Sequence, residues 1–73
     1  MKVTIEYCTA WNYKPRASSL ENELNNAFGS QVEVELIPGY GGVYTICVDG
    51  KQIFAKQEMN RFPNEGEILG LLK

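Results

Sequence analysis

The chain has 73 residues, seven Lys and Arg against nine Asp and Glu, two cysteines and no histidine; a chain this short is one small domain hiding only about 60% of its unfolded surface, which excludes a deep cofactor pocket. Its cations are scattered singly, which argues against the basic stripe that nucleic acid requires. Two distant thiols without histidine argue against a metal site, and no apolar run approaches the roughly 20 residues of a membrane span.

Met1-Lys2 leads directly into a predicted strand and leaves no room for a secretory signal, so a cytoplasmic location and a single domain over residues 1–73 are expected. Residues 2–7, KVTIEY, alternate strictly, with Val3, Ile5 and Tyr7 on one face and Lys2, Thr4 and Glu6 on the other, the period of a strand. Pro15 suits the first turn of a helix, and Ala17, Leu20, Leu24, Ala27 and Phe28 then recur at three- and four-residue spacing, predicting a helix over about 13–28 closed by Gly29. VEVELI, residues 32–37, alternates again; the crossover has the length of a βαβ unit, so the first two strands should be parallel. Glu33 and Glu35 alternate outward there as a solvated edge.

PGYGG, residues 38–42, reads as a turn; it leads into a strand and lacks the Lys-Ser/Thr ending of a phosphate-binding loop. Strands over 43–48 and 52–56 are joined by Asp49-Gly50, a dipeptide suited to a tight hairpin. Asn64 followed by Glu67 resembles a capping box, and Ile68, Leu69, Leu71 and Leu72 give a short last helix its apolar face. The order β-α-β-β-β-α implies an α/β (α+β) fold of the minimal thioredoxin-like kind, a four-stranded mixed sheet with helices packed on it. The ferredoxin-like competitor would need a further strand after residue 73.

Cys8 stands where the first strand gives way to the helix, a place near unpaired backbone N–H groups. Those donors, the helix dipole, Lys14 and Arg16 would favour the thiolate. From position alone, a reactive and partly exposed thiol and a small buried hydrophobe are equally acceptable. Cys47, inside the apolar run 43–48, reads as core. If the third strand runs antiparallel to the first, the two cysteines lie about five residues or roughly 16 Å apart, beyond the ~7 Å limit for a disulfide.

At this point the chain resembles the selenoprotein W-like (Rdx) family of thioredoxin-like proteins. EYCTAWNYKPRA is similar to that family's strand, redox loop and helix start, GGVYTICVDGKQIFAK to its central hairpin, and RFP to the segment before its last helix. The resemblance implies a thiol oxidoreductase or antioxidant role in cell redox homeostasis. Glutathione would be the co-substrate, with client or thioredoxin-type proteins as partners and no bound cofactor or metal. It assigns Cys8 to the first redox position. Trp11 falls where the family carries a second cysteine or selenocysteine, and an indole cannot resolve a mixed disulfide. One reading is a native selenocysteine whose UGA codon, a near neighbour of UGG, has been read as or edited to tryptophan; the other is a natural monothiol variant resolved by glutathione. A bland role also stands, with Trp11 covering the loop against the Tyr13 ring.

Tyr7, Tyr13, Tyr40 and Tyr44 are candidates to line a groove beside the thiol, with Core packing equally able to account for Tyr7 and Tyr44. Tyr13, Lys14, Pro38 and Tyr40 are the candidate binding residues. Pro38 is the one proline near the place of the cis-proline of thioredoxin-like proteins, although an ordinary trans proline in a turn suits it better. The reading from sequence is therefore a cytoplasmic thiol or selenol redox protein forming a mixed disulfide at Cys8. Its alternative is a non-catalytic interaction module that uses the Cys8–Trp11 loop as a contact surface.

Overall fold

The structure, a computed structural model, describes residues 1–72. Strand β1 (Lys2–Cys8) is followed by helix α1 (Lys14–Phe28), strands β2 (Glu33–Gly39), β3 (Tyr44–Val48) and β4 (Lys51–Ala55), and the short helices α2 (Lys56–Met59) and α3 (Glu67–Leu72). The sheet order is β2-β1-β3-β4. β1 pairs parallel with β2, while β3 runs antiparallel to both β1 and β4. The mixed four-stranded sheet and the order expected from periodicity are both present, and α2 is an addition to them.

Alternation along β1 decides the layers. Val3, Ile5 and Tyr7 are buried and meet Ile46 and Tyr44 of β3, Phe54 of β4, Ala17, Leu20 and Leu24 of α1, and Ile68 of α3 in one core. Within α1 the apolar stripe is narrower than predicted. Ala27 is exposed and Phe28 half-buried against the core at the helix end, where a 3-10 turn over 29–31 follows. The residues between point to the other face, where the Lys2 ammonium pairs with Glu35 at 3.2 Å and Glu33 at 3.8 Å. Cys47 belongs to that face, opposite Thr4 and half-buried, so it is not the core residue that the apolar run suggested.

Asp49 and Gly50 both take positive φ, +50° and +86°, as the tightest hairpin turn requires. The turn is also clipped to β1, since the Lys2 N–H donates to the Asp49 carboxylate at 2.9 Å and the Asp49 N–H donates to the Lys2 carbonyl at 2.8 Å. Pro38 and Gly39 do not begin a turn; they extend β2 by two residues. Pro38 fits there because β2 is an outer strand, and no peptide among the described residues is cis.

The capping pair Asn64 and Glu67 stands at the start of α3, whose first residue is Glu67. The Asn64 N–H donates to the Glu67 carboxylate at 2.9 Å, and the Glu67 N–H donates to the Asn64 carbonyl at 3.0 Å. Arg61 grips the same carboxylate with two N–H groups at 2.7 and 2.9 Å. Arg61, and after it the Asn64 N–H, hold the Glu67 carboxyl down to about 2. In α3, Ile68 is buried, Leu69 and Leu72 are half-buried and Leu71 is exposed, so Leu71 is not part of the predicted apolar face.

Leu24→Ala removes a fully buried side chain from the α1 contact and should destabilise the fold by about 2–5 kcal/mol, read from guanidinium unfolding. A carboxyl depressed by folding stabilises above its unfolded pKa of roughly 4.3 and loses that contribution as pH falls. The excess melting temperature of the parent over Glu67→Gln should therefore be full above that value and should vanish as pH drops to about 2.

Candidate functional site

In register, Cys8 at the end of β1 lies opposite Gly39 at the end of β2. The chain leaves both strands at one edge, and the 9–13 and 40–43 loops fold against each other there. The Cys8 N–H donates to the Val43 carbonyl at 2.8 Å, the Thr9 N–H to the Gly39 carbonyl at 3.3 Å, and the Tyr13 N–H back to the Cys8 carbonyl at 3.3 Å. Asn12 takes φ +58°, turning the first loop into α1, whose first turn holds Pro15.

Cys8 is completely buried. Burial by itself pushes its thiol up, but the backbone N–H groups of Gly42, Trp11, Ala10 and Val43 favour the anion and together outweigh it, so the pKa falls below the ordinary thiol value. The thiol thus combines the two readings that the sequence left open, being buried like a core cysteine and favoured as an anion like a reactive one. The donors come from the two loops. Neither Lys14, exposed on the first turn of α1, nor Arg16 is among them. Arg16 is turned instead onto the Phe62 ring, 4.0 Å from its centroid.

Two consecutive glycines make the second loop possible. Gly41 and Gly42 take φ +70° and +77°, the left-handed region that costs other residues energy. A Cβ on Gly42 would also lie 2.5 Å from Cζ3 of Trp11, so the indole rests directly on this residue. Trp11 is 59% exposed and meets the Tyr13 ring edge-on at 6.1 Å. The contact with Tyr13 suggested by sequence exists, and the seat on Gly42 is additional. Tyr13 is half-buried, 4.7 Å from Phe62 and 6.4 Å from Tyr44, which makes it the link between the loop and the 60–68 segment.

The other candidates separate. Tyr40 is 87% exposed on the second loop, whereas Tyr7 and Tyr44 are core residues and line no groove beside the thiol. The Tyr44 hydroxyl donates to the Arg16 carbonyl at 3.3 Å, and burial pushes its phenol up to about 12 despite the Arg16 charge, so it stays protonated. Pro38 is trans, in the outer strand opposite Tyr7. Cys47 is four residues from Cys8 along β1 by register, roughly 13 Å at strand rise, and both thiols are free. A groove of about 500 Å³ between α1 and the 62–68 segment, with Arg16, Leu20, Glu23, Phe62 and Ile68 on its walls, does not include Cys8. The thiol site is a junction of loops, away from that concavity. Ala10, Gly42 and Val43 escaped the sequence reading because they act through the backbone; the Gly41-Gly42 pair was the available signal. No group of three or more potential metal ligands occurs among the described residues.

With Cys47 replaced by Ser, the remaining thiol should titrate at lower pH in the folded protein than in denaturant, read from thiolate absorbance. Equal titration in the two states would contradict the four-donor arrangement.

The Rdx family model matches residues 2–73. Among solved structures, a protein from Bordetella parapertussis is 30% identical with a TM-score of 0.93, covering 97% of this chain and 91% of that chain. A selenoprotein W-related protein from Vibrio cholerae is 28% identical with a TM-score of 0.85, covering 99% and 96%. Among curated proteins no sequence match is found.

Proposed function

Since the chain belongs to the Rdx family and has its thioredoxin-like fold, we propose that it is a cytoplasmic redox protein whose Cys8 exchanges with glutathione or with thiols of client and thioredoxin-type proteins. The observation that carries this reading is the place of Cys8 at the strand end where the two loops meet, with backbone N–H groups of both loops lowering its pKa against the effect of burial. A thiolate favoured by fixed donors is the species that attacks a disulfide.

The exchange balances without a metal or bound cofactor. The Cys8 thiolate attacks one sulfur of oxidised glutathione, a bond forms between them, and the other glutathione leaves as its thiolate. A reduced glutathione then attacks the glutathione sulfur of the mixed disulfide and releases Cys8 as the thiolate, leaving oxidised glutathione. Backbone donors hold the charge when Cys8 is the attacking group and again when it is the leaving group. Trp11 supplies no sulfur, so the chain works as a monothiol and resolution comes from outside. A selenocysteine at position 11 would make that second step internal and leave the first unchanged. Exposed Lys14 offers an ammonium to a carboxylate of the incoming peptide, and Tyr13 and Tyr40 border the loops it would approach.

A second reading has its own observation. Trp11 and Tyr40 are large aromatic side chains exposed on adjoining loops, the residue types that dominate protein contact surfaces. A partner could use them without any chemistry at Cys8.

Brief treatment with oxidised glutathione, followed by intact mass and peptide mapping, should place one adduct on Cys8 and none on Cys47. Cys8→Ser should abolish it, and Trp11→Cys should replace it with a disulfide between Cys8 and the introduced thiol. An unmodified Cys8, together with partner capture that survives Cys8→Ser and fails in Trp11→Ala, would favour the contact module.

A further inference from the structure

Exchange at Cys8 has a steric requirement that the closed structure does not meet. The attacking sulfur must approach a disulfide directly, and none of Cys8 is open to solvent. Its surroundings say which group has to move. Cys8 lies where the two loops meet, its N–H donating to the Val43 carbonyl and the Thr9 N–H to the Gly39 carbonyl, and backbone N–H groups of residues 10 and 11 on one loop and 42 and 43 on the other act on its sulfur. These groups are held in the fold by strand ends and loop hydrogen bonds, so the way out runs between the two loops.

One side chain bridges that gap. The Trp11 ring rests on Gly42, with Cζ3, Cε3 and Cη2 at 2.5, 2.9 and 3.0 Å from where a Cβ would stand. Gly42 is also one of the donors to the sulfur, and it is buried although its neighbour Gly41 is exposed. The other aromatic side chains nearby do not serve. Tyr40 is 87% exposed, and Tyr13 is held by Phe62 and Tyr44. Trp11 itself is more than half exposed and lies outside the core cluster, so its displacement disturbs no core packing.

We propose that Trp11 is the gate of the thiol. Seated on Gly42, the indole closes the space between the loops over Cys8; swung off, it opens the sulfur to an incoming disulfide. This rests on the reading of Cys8 as the redox centre and adds a control of access to it. Any disulfide that reaches the sulfur, glutathione's included, has to wait for or displace the indole, so the gate sets how often the thiolate can be met. Trp11 acts here as a positioning residue, controlling access and leaving the thiolate donors untouched.

The test is the alkylation rate of Cys8 by iodoacetamide in the parent, Trp11→Ala and Trp11→Phe, resolved from Cys47 by peptide mapping. It is paired with the thiol titration of each variant carrying Cys47→Ser and with circular dichroism to verify folding. The gate predicts a rate increase of at least about tenfold for Trp11→Ala, a smaller one for Trp11→Phe, and an unchanged Cys8 titration, since access changes and the backbone donors do not. Parent-like rates in both variants, with the thiol pKa still low, would overturn the gate and leave the redox reading in place. An ordinary pKa with an unreactive Cys8 in every variant would overturn both. If Trp11→Ala loses structure, Trp11→Phe alone decides, by a rate above or equal to the parent's.

Discussion

Everything distinctive about this small domain depends on the parallel pairing that sets Cys8 opposite Gly39. Two parallel strands end at the same edge, so the two loops that leave them have to meet. Here they meet around one sulfur atom. The crossover through α1 places the helix on the face where Val3, Ile5 and Tyr7 are buried, which leaves the edge itself to backbone. The field at the thiol is consequently made by peptide groups, whose direction the fold fixes. A lysine or arginine in the same role would have to be held in place by further contacts.

Burial and reactivity are balanced at that point in an uncommon way. Desolvation disfavours a thiolate, and a cysteine with no exposed surface would ordinarily be inert. Four N–H donors reverse the sign. Because the same desolvation strengthens each donor's effect by excluding water, the enclosure that hides the sulfur also makes its donors count. Access and activation are therefore separable properties here, the first governed by a side chain and the second by the main chain.

The sheet and α1 were legible because period-two and period-3.6 patterns are local, and the Asp49-Gly50 turn because its positive-φ backbone is met readily by only Gly, Asn and Asp. The failures share a physical origin in context. Pro38-Gly39 reads as a turn until β2 is known to be an outer strand, where a missing donor is harmless. VYTICV reads as a wholly apolar run, although Tyr44, Ile46 and Val48 alternate with Thr45 and Cys47, so the thiol falls on the second face. Helix α2 spans only KQEM, too short to carry a period, and stops at Asn60 with φ +57°. At Cys8 the charges near it in sequence, Lys14 and Arg16, are not the groups that act on it in space.

The position of Pro38 in the outer strand also bears on how the molecule can assemble. The Gly39 carbonyl faces β1, where it accepts from Thr9, so the backbone of Pro38 points away from the sheet, where a fifth strand would need a donor and finds none. Glu33 and Glu35 add a row of charge along the same strand. Sheet extension is thus blocked at the β2 edge close to the thiol. A chain approaching this edge therefore meets loop tips and side chains there in place of an open strand.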